Sequence, residues 1–170
     1  NCGALDCAKL IQSNSIVVLG YAPYLAIYNG KENIIKWLLS LKNGNVPLVD
    51  AKTYNGTCGT LLSYAAATGN LKMCSLLMSF GADPNYKPDE KTWSAVERAA
   101  VKNKVEVLKY FLEEVKANVG KAPYAAMINE SIECLKYFIE ERGIGADYCN
   151  VDGTPLLADA AGYGKEKSVE

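Results

Sequence analysis

The sequence predicts an all-α repeat solenoid, a stack of helix pairs, and three observations carry that expectation. Five stretches share one apolar pattern: LDCAKLIQ from Leu5, ENIIKWLL from Glu32, LKMCSLLM from Leu71, VEVLKYFL from Val105 and IECLKYFI from Ile132. An alanine stands six residues before each of the last four starts, at Ala26, Ala65, Ala99 and Ala126. The intervals between starts are uneven, at 27, 39, 34 and 27 residues. Because the helical patterns match throughout, the differences belong to the connectors.

Each shared stretch is apolar at offsets three and six from its start, and all but the first, which has Gln12, at offset seven, as at Ile35, Leu38 and Leu39 or Leu108, Phe111 and Leu112, which is helical spacing. Offsets two and five are apolar as well, so each of these outer helices needs neighbours on several sides. Trp37, Tyr110 and Tyr137 fall on that wide face and are expected in the core. Glu106 with Lys109 and Glu133 with Lys136 sit three apart on the polar strip, where they can pair. The alanines mark a shorter inner helix that lets another helix approach closely. Gly30 and Gly69 mark the tight turn between the two; Asn103 and Glu130 hold the equivalent places at some conformational cost.

The connectors follow from the intervals. Ser40–Gly59 and Phe80–Trp93 are long and rich in turn residues, including YNGTCG and the prolines Pro84 and Pro88. Ser13–Tyr21 and Glu113–Lys121 are expected to be stubs. The units then divide as a partial unit at 1–20, units at about 21–54, 55–88, 89–119 and 120–150, and a partial unit at 151–170. The pattern starts and stops inside outer helices, so the sequence reads as a piece of a longer protein.

Composition narrows the chemistry. Of the 170 residues 49% are apolar and 22% charged, which suffices for a packed core. Eighteen basic residues against 19 acidic ones give a net charge of −1, which removes the footprint of a nucleic-acid or anionic-membrane binder. The absence of histidine excludes Ser-His-Asp and Cys-His catalysis and histidine-ligated zinc. The uncharged run from Leu10 to Gly30 is interrupted by Gln12–Ser15, Gly20 and Pro23 and is too short to span a bilayer. Six cysteines occur without a Cys-x-x-Cys pair and read as reduced thiols, with disulfides in an exported protein as the competing reading. An intracellular setting, that of a delivered effector included, suits reduced thiols and the lack of a visible signal peptide. Adjacent carboxylates Glu113 with Glu114 and Glu140 with Glu141 point apart on a helix, and Gly143-Ile144-Gly145 lacks the context of a phosphate loop. No enzymatic activity, cofactor or metal is expected.

At GADPN, residues 81–85, at DGTPL, residues 152–156, and at LLSYAAATGNLKMCSLLMSFGADPN, residues 61–85, the sequence resembles the ankyrin-repeat family. The resemblance covers essentially the whole chain and implies L-shaped units, each of two antiparallel helices and a projecting β-hairpin or loop, stacked into a curved, elongated solenoid. A tetratricopeptide array, the nearest competing fold, has no place for a glycine-alanine-aspartate segment between helix pairs. Family members bind partners through hairpin tips and the exposed ends of inner helices. On this chain the inner-helix positions are Tyr28, Asn29, Thr68, Lys102 and Asn129, and the last unit adds Tyr163. The hairpin positions are Tyr54, Asn55, Thr57, Tyr86, Lys91 and Trp93. Trp93 either anchors a partner or folds back onto the inner helix of its own unit. The resemblance implies a monomeric, non-catalytic module that binds another protein; the alternative is a regulatory or structural appendage docking within a longer enzyme or transporter.

Overall fold

The computed structural model describes residues 22–40, 59–145, 147–149 and 153–164. Its helices alternate between inner and outer members. They are α1 (Ala22–Tyr28), α2 (Glu32–Ser40), α3 (Leu61–Thr68), α4 (Leu71–Ser79), α5 (Ala95–Val101), α6 (Val105–Lys109), α7 (Ala122–Ile128), α8 (Ile132–Lys136) and α9 (Leu156–Gly162). In the first four pairs the inner helix begins ten residues before the outer one, whatever the connector length.

That constancy has a local cause. α3 is capped by the Thr60 hydroxyl, which accepts from Ser63 N at 3.2 Å. α5 begins with a reciprocal capping box between Ser94 and Glu97. α7 carries Pro123 in its first turn, where a missing N–H costs nothing. At the other end, the first four inner helices close with the same pair of bonds. Lys31, Asn70, Lys104 and Ser131 donate their backbone N–H to the carbonyls of Ala26, Ala65, Ala99 and Ala126 at 2.8–3.2 Å. This Schellman turn needs a left-handed residue one position earlier. Gly30, Gly69, Asn103 and Glu130 supply it, with φ of 62°, 77°, 52° and 53°. The turn expected at Asn103 and Glu130 is therefore present without glycine.

The inner helices touch in sequence, α1 with α3, α3 with α5, α5 with α7 and α7 with α9, while α4 contacts α6 and α6 contacts α8 in the outer layer. Alanine makes the inner contacts close: Ala65, Ala66, Ala99, Ala100, Ala125 and Ala126 are fully buried. Outer-helix residues Leu38, Cys74, Leu77, Leu108, Phe111 and Phe138 fill the space between the layers as one continuous core. Met73 with Cys74 and Val107 with Leu108 are adjacent pairs buried together, as the wide apolar face requires. Tyr137 is buried, and Trp37 and Tyr110 pack against the core half-buried.

Two features depart from the sequence reading. First, the outer helices of the short units widen at their ends into π-helical turns, Tyr110–Glu114 and Tyr137–Glu141. The left-handed residue that stops α4 is Gly81, ten residues after Leu71; its counterparts Lys116 and Gly143 come eleven residues after Val105 and Ile132. The wider turn absorbs that extra residue, and Ala117 N and Ile144 N each reach back to Phe111 O and Phe138 O at 2.9 Å. Second, among the described residues the long connector after α4 forms no β-hairpin. Asp83 and Asp89 instead fold it as turns, their side chains accepting from Asn85 N at 2.8 Å and Lys91 N at 3.1 Å. Among the described residues, an isolated antiparallel bridge between Cys149 and Pro155, in the connector before α9, is the trace of sheet pairing.

The polar strip also pairs differently. Glu133 meets Lys136 at 3.9 Å. Lys109, expected to pair with Glu106, instead reaches Glu141 of the next unit at 2.7 Å and lies 5.2 Å from the centre of the Tyr137 ring. The Tyr137 hydroxyl in turn donates to Glu113 at 2.9 Å. These contacts tie the outer layer across units, which a pair on one helix could not do.

Candidate functional site

Successive connectors are fastened to one another on the side where the inner helices begin. Asn85 donates from Nδ2 to Asn118 O at 2.8 Å and accepts from Asn118 N at 2.9 Å, so one side-chain amide imitates a strand neighbour. Asn118 Oδ1 accepts from Gly120 N at 2.8 Å, and the Tyr148 hydroxyl donates to Gly120 O at 3.4 Å. Connectors of three consecutive units are thereby linked.

Beneath them lies Glu97, whose side chain is 3% exposed. Its carboxylate accepts from Lys87 Nζ at 2.7 Å, from Ser94 N at 3.0 Å and from Lys121 N at 3.2 Å. A buried charge needs such company, since desolvation would otherwise oppose folding by several kcal/mol. Glu97 thus binds its own helix start to the connector before it and the unit after it. A groove of about 690 Å³ opens here, walled by Lys87, Glu97, Lys121, Tyr124 and Tyr148.

At the other end of the inner helices, the repeat places equivalent residues in two rows. Tyr28, Ala67, Val101 and Ile128 form an apolar row, with Tyr28 71% exposed and the other three half-buried. Asn29, Thr68, Lys102, Asn129 and Tyr163 form a polar row beside it, with Tyr163 62% exposed. Three of these polar groups serve their own helix: Asn29 donates to Leu25 O, Thr68 to Ala65 O and Asn129 to Ala125 O, at 2.8–2.9 Å. Lys102 and Lys91 are exposed, as is Tyr86. Trp93 is half-buried and packs against the core. Tyr54, Asn55 and Thr57 lie outside the described residues. The candidate residues thus fall on two surfaces, the far ends of the inner helices and the connectors that lead into their starts, rather than in one pocket.

The sequence reading missed Glu97 and the Asn85–Asn118 link. The first had a legible signal, since Ser94-Ala95-Val96-Glu97 is the S-x-x-E capping pattern. The second had none, because it joins connectors 33 residues apart.

The electrostatics are those of a scaffold. Burial pushes the thiols of Cys74 and Cys134 from 9.0 up to about 12, so neither is a ready nucleophile. Both, and the exposed Cys149, are free thiols; Cys2, Cys7 and Cys58 lie outside the described residues. Among the described residues no group of three His, Cys, Asp or Glu side chains is placed to hold a metal, and no helix is long and apolar enough to cross a membrane.

Comparison with known proteins bears on this arrangement. The family model for ankyrin repeats (3 copies) matches residues 23–122. No curated protein matches the chain. The match spans more than half of the sequence, from α1 through the Glu97 hub to the start of α7, so the chain belongs to the ankyrin-repeat family.

Proposed function

We propose that this chain is a non-catalytic module that docks another protein on its inner-helix ends and connectors. Ankyrin repeats are generally protein-interaction modules, and the observation that carries the reading for this chain is the pair of rows. An apolar row beginning at Tyr28 runs beside a polar row ending at Tyr163, across consecutive units held rigid by shared cores. Tyrosine offers large contact area with few rotors to freeze. Lys102 adds charge, and the fixed amides of Asn29 and Asn129 present a shaped surface without loss of side-chain entropy on binding. The connectors contribute Tyr86 and Lys91, and the sequence places Tyr54, Asn55 and Thr57 on the preceding one. The units act as one domain in this reading, with no cofactor.

The test is quantitative affinity capture from the source organism's extract, using the intact chain and a Tyr28→Ala/Lys102→Ala variant. Loss of at least tenfold in affinity for a captured protein, with the melting temperature unchanged, is expected. A captured protein that binds the variant equally well would remove this face from the interaction.

A further inference from the structure

The turns that join inner to outer helices are more positive than the chain that bears them. In the four turns 28–31, 67–70, 101–104 and 128–131 the charged residues are Lys31, Lys102, Lys104 and Glu130, whereas the whole chain has a net charge of −1. These lysines are also unpaired. Lys36, Lys87, Lys109 and Lys136 each meet a glutamate of the chain, while among the described residues no carboxylate is paired with Lys31, Lys102 or Lys104. Lys31 and Lys102 are exposed. Lys104 is half-buried, with its stem laid across the turn of the preceding unit: its Cγ, Cδ and Cε atoms stand 3.1–3.7 Å from where a side chain at Gly69 would begin. An ammonium carried on a packed stem has less freedom to lose when it meets a carboxylate. Lys102 directly follows Val101 of the apolar row, so apolar contact and free positive charge share one face over three consecutive units.

We propose that this face takes an acidic segment of the partner, with an apolar side chain on the row and flanking carboxylates on Lys31, Lys102 and Lys104. The proposal rests on the reading that a partner docks at the inner-helix ends, and it names the chemistry by which that partner is recognised. Complementary charge beside an apolar contact fixes register and speeds encounter. A polypeptide suits the face better than an anionic membrane. Basic clusters that hold lipid headgroups gather about four to eight cations, whereas here Glu130 stands with three lysines.

Selection of a displayed library of random linear peptides on the intact chain tests this. The recovered peptides are expected to combine an apolar residue with flanking Asp or Glu. Synthetic copies should bind roughly tenfold or more weakly to Lys102→Glu/Lys104→Glu and at native strength to Lys102→Arg/Lys104→Arg. Raised salt should weaken them on the native chain. Should the double charge reversal lower the melting temperature, Lys102→Glu alone, at an exposed position, carries the comparison. Peptides whose binding falls in Tyr28→Ala but which show no acidic preference would leave the docking face standing and overturn the acidic segment. Peptides that bind every variant like the native chain would remove both. A library that returns no binder would overturn recognition of a segment. Phosphatidylserine vesicles that bind the native chain and not Lys102→Glu/Lys104→Glu would assign the lysines to a membrane and overturn the proposal too.

Discussion

Glu97 is the residue on which most of the local order depends, because its carboxylate serves a helix start, a lysine and the next unit at once. Glu97→Ala is expected to cost about 3 kcal/mol by urea unfolding, leaving three donors unsatisfied. Lys87→Ala should cost less, about 1–2 kcal/mol, since the Lys87 side chain is 30% exposed and its charge is partly screened. The buried thiols make a second claim at this scale. With Cys74 and Cys134 held at about 12 against 9.0 when free, the folded chain keeps protons that the unfolded chain gives up. The stability they contribute is complete below about pH 9 and is lost as pH rises through about 12. The urea midpoint is therefore expected to fall between about pH 8 and pH 10, and to fall less in Cys74→Ala/Cys134→Ala. In native labelling at about pH 8, the exposed Cys149 should react far faster than either buried thiol. Trp93 also belongs here. It packs on the core, so Trp93→Ala is expected to lower stability, where Tyr28→Ala leaves it unchanged.

Between residue and stack, the recurrent element is the left-handed turn that joins inner to outer helix. It appears with glycine at 30 and 69 and without it at 103 and 130. Glu130→Gly removes a strained side chain and is expected to add about 0.5–1 kcal/mol, while Gly69→Ala should cost about 1 kcal/mol. Asn103→Gly should add nothing, because the Asn103 side chain accepts from Cys134 N at 3.1 Å and that link to the next unit would be lost. Thermal melts of the three variants would show the order. The turns were legible because alanine and the outer-helix start bracket them at constant spacing. The π-helical ends of α6 and α8 were not, since one added residue looks the same in sequence whether a helix or a loop absorbs it. Nor was the folding of the long connector: GADPN suggested a hairpin, but Asp83 turns the chain locally and Asn85 spends its amide on the neighbouring connector.

For the whole molecule, each helix pair hides its apolar face only with the help of the next, as Phe111 and Phe138 do within a single continuous core. That interdependence was readable from the width of the apolar faces, which no isolated pair could bury. The surface rows were readable only as positions. Whether Thr68 or Asn29 is free to bind depends on bonds to their own helices that no spacing announces. The most direct measurement of the stacked arrangement is a set of methyl NOEs among the inner helices. Cross-peaks are expected between α3 and α5 and between α5 and α7, with none joining α3 to α7. Strong cross-peaks between α3 and α7 would mean that the pairs close on themselves instead of lying in a row, and would contradict the stack and the face it presents.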